Sequence, residues 1–204
     1  DFAATLQLAI SGTVVGDGTE LVTGQASTRS LLDAGPIHIG GTAAFALSLR
    51  TVDVDTDGNG TADLIGATLQ AVALSVSGAT VKVDAVATLT VSGQLALASV
   101  TPAGVGATTR YSALKMGDVQ VTLVAGTAND DTFGLQGTLT ISSLESNSVG
   151  AGFTGARLDW AKAFDFDGDG TKDVLDPGAG LPTPAGLPID FASTLQLAIS
   201  GTVV

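Results

Sequence analysis

The sequence predicts an all-β fold, an antiparallel β-sandwich built as one large unit or as two smaller units in series. Apolar residues make up 45% of the chain but aromatic residues only 4%, so we expect a core of small aliphatic side chains. Short runs rich in Val, Thr and Leu alternate between apolar and polar positions, and Gly, Asn and Asp separate them. Such alternation is typical of strands with one buried face, and the separating residues are typical of turns.

The alternating runs predict the strands in chain order. In the first run, Leu6, Leu8 and Ile10 share one face of the predicted strand. The predicted strands cover residues 5–14, 45–52, 69–76, 80–91, 94–100, 118–125 and 135–144. The Ser-Gly segments at 77–79 and 91–94 are predicted turns, because Gly and Ser are common turn residues. No long helical pattern is present, and the best helical candidate is the short segment 156–164.

The first and last fifteen residues are nearly identical. Residues 1–15 read DFAATLQLAISGTVV and residues 190–204 read DFASTLQLAISGTVV, with Ala4 replaced by Ser193 as the single difference. The offset exceeds the roughly 20–50 residues of a solenoid repeat and suits one large domain or two small ones. A cloning artefact would more readily give an identical copy. We therefore expect residues 1–189 to be one unit of a tandem array, and 190–204 to be the first strand of the next unit.

Two weaker signals subdivide this unit. The string D-x-x-[A/S]-T-L begins at Asp1, Asp84 and Asp190, which suggests diverged half-domains at 1–83 and 84–175. A single large sandwich is the alternative. Residues 176–189 are rich in Pro and Gly and have no periodicity, so they are expected to form a stiff linker.

Composition also excludes several classes of function. The net charge is −12, from 20 acidic and 8 basic residues, which leaves no basic face for a phosphate backbone. Nucleic acid is therefore not an expected partner. The chain has no Cys, so it contains no disulfide and no thiolate metal site. No uninterrupted apolar run reaches the roughly 18 residues of a spanning helix, and we expect no membrane insertion.

The acidic residues are concentrated in two loops with one pattern, D-x-D-G-[D/N]-G-T-x-D. Loop 1 is residues 55–63 and loop 2 is residues 165–173. A hard divalent cation binds about six to eight oxygens, and side chains at the first, third and fifth positions of such a loop converge on one point. The sixth-position Gly permits the bend, while the seventh-position carbonyl and the ninth side chain add oxygens. The predicted ligands are Asp53, Asp55, Asp57, Asn59, Thr61, Asp63, Asp165, Asp167, Asp169, Thr171, Asp173 and Asp176.

Calcium is the cation that these loops are predicted to bind. Magnesium prefers a smaller shell, and zinc is unsuited to a chain with no Cys and one His. Loop 2 places Asp176 at the twelfth position, where a bidentate carboxylate is common, whereas loop 1 has Gly66 there. Loop 1 is therefore expected to bind more weakly, with water or the upstream Asp53 completing its shell. The competing interpretation is a pair of metal-free Asp/Gly turns.

No catalytic arrangement is evident, and we expect neither an enzyme nor a small-molecule substrate. His38 is the only His, so no Ser or Thr has an obvious base partner for nucleophilic catalysis. Trp160, close to loop 2, fits either a core position or a platform for stacking a sugar ring, and the core position is the simpler expectation.

The near-identical copies, the loops DTDGNGTAD and DFDGDGTKD, and the Cys-free Thr/Val/Ala/Gly-rich pattern resemble an extender repeat of a giant RTX-type bacterial surface adhesin. The resemblance implies β-sandwich domains that stand end to end on a bacterial cell surface, stiffened by calcium, and that project a distal adhesive domain. It also implies that neighbouring repeats of the same chain are the partners, and that the protein is secreted. The alternative is a calcium-dependent carbohydrate-binding module, which would need an exposed aromatic platform.

Overall fold

The structure is a computed structural model that describes residues 6–17, 32–34, 37–83, 87–125 and 136–204. Its strands are β1 (Leu6–Asp17), β2 (Leu32–Ala34), β3 (Ile37–Val54), β4 (Leu64–Val83), β5 (Ala87–Thr101), β6 (Tyr111–Ala125), β7 (Gln136–Val149) and β8 (Leu197–Val203). The one helix among the described residues is a single 3₁₀ turn, Pro177–Gly180. The predicted all-β class is confirmed.

All described strands belong to one antiparallel sheet with the order β1-β3-β4-β5-β6-β7-β8. β2 extends the β1 edge by pairing with the first three residues of β3. A second sheet facing this one does not occur among the described residues, so the two-sheet sandwich is not confirmed. The proposed boundary between half-domains falls between β4 and β5, which pair with each other in the middle of the sheet.

The second layer of the molecule is the covering segment, residues 151–196, which crosses one face of the sheet. Its buried side chains pack against Ala and Val residues of the central strands in one continuous core. From the covering segment this core includes Leu158, Trp160, Ala163, Phe164, Leu175, Leu187, Ile189 and Phe191. From the sheet it includes Val52, Val54, Ala67, Leu69, Ala71, Ala96, Ala98, Val100, Tyr111 and Ala113. The small side chains of the sheet leave room for the large rings that cover them.

Trp160 is the central residue of this layer and is completely buried. Its indole N–H donates to the side-chain oxygen of Asn147 over 3.0 Å, and the Asn147 amide donates to the Leu158 and Ala192 carbonyls at 2.9 and 3.3 Å. The Asn147 side chain is also buried, so its hydrogen bonds satisfy polar groups that water cannot reach. The core position expected for Trp160 is therefore the one found.

The strands are longer than predicted because they pass through bulges. The predicted turns at 77–79 and 91–94 were wrong, since these residues lie within β4 and β5 at shifts of register. Gly93, with φ of 150°, lies so close to Val119 that a Cβ would approach its Cα to 2.7 Å. Gly-containing dipeptides serve both turns and bulges, and here they bend the strand without ending it.

Two further predictions of secondary structure were wrong. The strand predicted at 80–91 spans the end of β4 and the start of β5, which pair antiparallel, and residues 84–86 lie outside the described part. The helical candidate at 156–164 is irregular. In that segment the Trp160 N–H donates to the Phe191 carbonyl and the Ala163 carbonyl accepts from Asp55, so these backbone groups are used by tertiary hydrogen bonds.

Residues 176–189, predicted as a linker, lie against the sheet. Leu181, Leu187 and Ile189 are buried, and Leu175 forms an antiparallel bridge with Ile189. The division of the chain into units at residue 189 stays a prediction. No helix in the part of the chain that the structure describes has the length and hydrophobicity needed to span a bilayer.

Candidate metal centre

The two acidic loops lie side by side at one end of the sheet. Loop 1 connects β3 to β4, and loop 2 belongs to the covering segment. The N–H of Asp55 donates to the Ala163 carbonyl over 3.0 Å, and Lys172 of loop 2 lies 3.4 Å from a carboxylate oxygen of Asp55. The covering segment therefore holds loop 2 against loop 1.

The first Asp of each loop accepts the same two backbone hydrogen bonds. Asp55 accepts from the N–H groups of Gly58 and Gly60, both at 2.7 Å. Asp165 accepts from the fourth and sixth residues of its own loop, at 2.7 and 2.9 Å. The Gly residues at these positions have positive φ in both loops, between 75° and 91°. L side chains rarely adopt this conformation, so the pattern requires Gly where the backbone turns around the first carboxylate.

The third and fifth side chains of the two loops also accept matching hydrogen bonds. Asp57 accepts from the fifth-position N–H at 3.1 Å, and Asp167 does the same at 3.1 Å. Asn59 and Asp169 accept from the seventh-position N–H at 2.8 and 2.6 Å. The same pattern of residues has therefore produced the same backbone turn twice, once between two paired strands and once in the irregular covering segment.

The ninth residue closes each loop. The N–H of Asp63 donates to the Val54 carbonyl at 2.8 Å, and that of Asp173 donates to Phe164 at 2.9 Å. Their carboxylates accept from the second-position N–H at 2.8 and 2.6 Å. Each ninth side chain is thereby brought back over the start of its loop.

Each loop gathers three carboxylates that could hold a metal ion. In loop 1 these are Asp55, Asp57 and Asp63, with ligand oxygens within 4.8 Å of one another. In loop 2 the matching triad is Asp165, Asp167 and Asp173, within the same distance. Like charges this close repel, and a cation between them would remove the repulsion.

The other predicted ligands lie outside these triads. Asp53 accepts from the Gly66 N–H at 2.7 Å. Asp176 accepts from Gly178 and Leu187, both at 3.0 Å, and so fixes the covering segment beyond the loop. Thr61 and Thr171 occupy the exposed seventh positions, where only their carbonyls were predicted to act. The full ligand set stays a prediction.

Hydrogen bonds from backbone and side-chain donors lower the pKa of three of these carboxyls. Desolvation opposes ionisation of Asp55, but hydrogen bonds from Gly60 and Gly58 and the charge of Lys172 outweigh it and lower its pKa. For Asp165, desolvation is likewise outweighed by hydrogen bonds from Gly170 and Gly168, so its pKa is also lowered. The Thr56 hydroxyl and N–H lower the pKa of Asp63. These carboxyls are therefore ready as anionic ligands below neutral pH.

Lys172 is the residue that sequence reasoning missed. It occupies the eighth position of loop 2, where loop 1 has Ala62, and the pattern assigns no role to that position. Its ammonium pairs with a carboxylate of the neighbouring loop, and Asp55 is only 2% exposed. Which loop a charge will meet depends on tertiary packing, so no local signal could have identified this contact.

The remaining residue considered for catalysis is His38. His38 lies in β3, and its side chain is outside the described part. Comparison with known proteins gives no guide to function, since no family model, no curated protein and no solved structure matches the chain.

Proposed function

We propose that the chain is a structural extender repeat, stiffened by calcium, in a long cell-surface protein that projects a distal adhesive domain. The observation that carries the proposal is the pair of loops with one hydrogen-bond pattern, each gathering three carboxylates. The near-identical copies at 1–15 and 190–204 supply the tandem-repeat part. The partners of this chain would then be neighbouring repeats.

Calcium is favoured by the chemistry of the ligands. Every side chain in the two triads is a carboxylate. The fifth position adds an amide oxygen in loop 1 and a carboxylate in loop 2, and the seventh position adds a backbone carbonyl in both. Flexible oxygen-only shells of this kind suit calcium better than magnesium, which demands near-ideal octahedral geometry. Calcium at such sites is also consistent with the proposed secreted, extracellular location on a bacterial surface.

Stiffening follows from where the loops lie. Loop 1 joins the end of β3 to the start of β4. Loop 2 directly follows the part of the covering segment whose aromatic rings are buried in the core. Phe166 of loop 2 stacks on Phe164 at 5.2 Å, and Arg50 of β3 lies 5.1 Å from the Phe166 ring. An ion that orders loop 2 would therefore also fix the covering segment on the sheet.

The carbohydrate-binding alternative has less support. All aromatic side chains that the structure describes are buried or half-buried, among them Trp160 and Tyr111. A sugar ring needs an exposed aromatic face on which to stack. A purely structural role requires no such face, and no catalytic group is needed for it.

Calcium titration of the full chain tests the proposal. We expect calcium to raise the melting temperature, and a chelator to reverse the effect, because an ion that binds only the folded state stabilises it. An array of several repeats should be longer and straighter in small-angle scattering with calcium than with chelator. Magnesium at equal concentration and the variant D57A/D167A, which removes one triad member from each loop, are the controls. Unchanged melting and scattering after chelation would reject the calcium part.

A further inference from the structure

The two copies of the repeated segment form strands at opposite edges of the sheet. β1 pairs with β3 at one edge, and β8 pairs with β7 at the other. Residues 197–203 of β8 are the sequence copies of residues 8–14 of β1. One amino-acid sequence therefore pairs with two different strands, one at each lateral edge of the sheet.

The two copies run in the same direction. β1 is antiparallel to β3 and β8 is antiparallel to β7. Four antiparallel pairings lead from β3 to β7, so β3 and β7 run parallel to each other. β1 and β8 therefore also run parallel, and a shift across the sheet carries one onto the other without a reversal.

The two copies also present the same side chains to the same face. In β1, Ser11 is opposite Ala46, whose side chain is buried beneath the covering segment. In β8, Ala198 is opposite Glu145, which shares a face with Asn147, the partner of Trp160. Directly opposite residues lie on one face of a sheet. Ser11 and Ala198, together with their copies Ser200 and Ala9, therefore all lie on the covered side.

The copies use complementary edges for hydrogen bonding. Val204 exchanges two backbone hydrogen bonds with Thr138, at 2.9 and 3.0 Å, and the Gln196 carbonyl accepts from Asn147 at 3.1 Å. Even-numbered residues of β8 therefore bond to β7, and the odd-numbered ones face the open edge. The direction of a strand and the face on which a side chain lies together determine toward which neighbouring strand the backbone N–H and C=O of that residue point. The copies of those odd residues in β1 consequently face β3.

Among the described residues, no strand pairs with the outer edge of β1 or of β8, and both strands carry exposed apolar side chains. Leu8 and Ile10 of β1 and Leu197 and Ile199 of β8 are exposed. Residues 197–203 contain no charge and no Pro, the usual features by which proteins block pairing at a sheet edge. An exposed, uncharged edge strand is suited to pairing with a further strand.

We propose that the repeated segment serves two consecutive copies at once, so that one strand completes the sheet of one copy and begins the sheet of the next. The same strand would bond to β7 of the first copy through one edge and to β3 of the second copy through the other. Consecutive copies would then form a single continuous antiparallel sheet, joined by backbone hydrogen bonds on both sides of the shared strand. The shared strand rests on the tandem-repeat part of the proposed function and does not depend on calcium.

The start of the second segment supports this arrangement. Phe191 is buried in the core of the present copy, and its carbonyl accepts from the Trp160 N–H at 2.8 Å. Ala192 accepts from Asn147. Residues 191–204 are therefore attached to this copy by both the core and β7, while residues 6–15, the copies of 195–204, pair with β3.

Disulfide trapping tests the shared strand in a chain of two copies, residues 1–204 followed directly by a second 16–204. The protein has no Cys, so every disulfide would come from introduced pairs. The first pair, S146C with L197C, reports pairing of the linking strand with β7. The second pair, A198C with S48C of the second copy, reports pairing with the next β3, because Ala198 is the copy of Ala9, which lies opposite Ser48. Both are expected to be non-hydrogen-bonded pairs, whose spacing suits a disulfide.

We expect both disulfides to form together in the variant that carries all four substitutions. A matched control, I199C with S48C of the second copy, should form none, because these side chains lie on opposite faces of the sheet. The shared strand is overturned if only one of the two disulfides forms, or if each forms alone but the two never occur in one molecule.

The dimensions of an unmodified array provide a second measurement that does not depend on Cys variants. A continuous sheet adds six strands per copy, so the axial repeat across the strands should be about 29 Å at about 4.8 Å per strand. Domains joined end to end along strands as long as β4 would repeat at roughly 65 Å. Electron microscopy of an array distinguishes these values, and a repeat near the longer one would reject the shared strand.

The outcomes separate this proposal from the calcium proposal. If both disulfides form and chelation changes neither melting nor scattering, the shared strand stands and calcium stiffening fails. If chelation lowers the melting temperature but only one disulfide forms, the calcium part stands and the copies are joined in another way.

Discussion

Loop 1 and loop 2 have the same backbone turn but different surroundings. The first carboxylate of loop 1, Asp55, is buried and paired with Lys172, whereas Asp165 of loop 2 is half-buried and makes no ion pair among the described residues. The nine-residue pattern therefore determines the turn, and the tertiary contacts determine the electrostatic environment. Two sites with one conformation should consequently differ in stability and in affinity for a cation.

The surroundings of the loops give a different reason for expecting loop 2 to bind a cation more strongly than loop 1. The sequence favoured loop 2 because Asp176 stands at its twelfth position, but in this structure Asp176 bonds to the backbone of Gly178 and Leu187. The difference that the structure adds is Lys172, whose positive charge lies beside the loop 1 triad. A cation entering loop 1 must displace or repel that ammonium.

The largest expected effect is the loss of Asp55 without any cation present. Asp55→Ala leaves the N–H groups of Gly58 and Gly60 without their acceptor and leaves Lys172 without its partner. An unsatisfied, partly buried donor costs about 1–3 kcal/mol, so we expect a loss of roughly 3 kcal/mol in the free energy of unfolding. Chemical denaturation in chelator measures it, with Asp165→Ala as the matched control. An equal loss in the two variants would contradict the distinction between the loops.

The second largest expected effect is a difference in calcium affinity between the two loops. A site at a hundredfold excess of ligand over Kd stabilises the folded state by about 2.7 kcal/mol. At a limiting calcium concentration, D167A/D169A should abolish more of the calcium-dependent rise in melting temperature than D57A/N59A, because loop 2 is filled first. Isothermal titration of both variants gives the affinity of the loop that remains. A larger effect from the loop 1 variant would reverse the proposed order.

Acid should destabilise the protein through the same carboxyls. Asp55, Asp63 and Asp165 have pKa values below the usual 3.8, so they bind protons more weakly in the folded state than in the unfolded state. Their contribution is complete above pH 3.8 and is lost as the pH falls through 3.8 toward the folded pKa values. In chelator, the free energy of unfolding should therefore fall across this window. Asp55→Asn should make the fall shallower, and an unchanged slope would show that Asp55 does not contribute.

Local patterns predicted the turns of the loops well because the interactions that form them are local. Asp165 and Gly170 are five residues apart, and their hydrogen bond needs only the Gly conformation and an acceptor. Strand content was predicted for the same reason, since alternation is a property of neighbouring residues. The bulges were missed because the Ser-Gly dipeptides that form them are equally common in turns.

The identity of the buried face could not be predicted from alternation. Leu8 and Ile10 share one face, as expected, but both are exposed in this structure, and the Ala residues of β4 and β5 lie in the core. Periodicity shows which side chains share a face and does not show which face will be covered. That choice depends on Trp160 and its neighbours, which reach the sheet only through the path of the covering segment.

The smallest expected effect on stability concerns Lys172. Whether its removal tightens or weakens calcium binding by loop 1 tests directly why the two loops differ. Lys172→Met keeps the length of the side chain and removes its charge. Without a cation the variant should lose about 1 kcal/mol, because the Lys172 side chain is 29% exposed and the buried Asp55 carboxylate keeps its hydrogen bonds from Gly58 and Gly60. With calcium, loop 1 should bind severalfold more tightly, since no ammonium competes for Asp55. Titration of Lys172→Met in a D167A/D169A background isolates loop 1, with Lys115→Met as a control, because Lys115 pairs with Glu145 and Asp190 and with neither loop. Unchanged or weaker binding by loop 1 would show that Lys172 does not set the difference between the two sites.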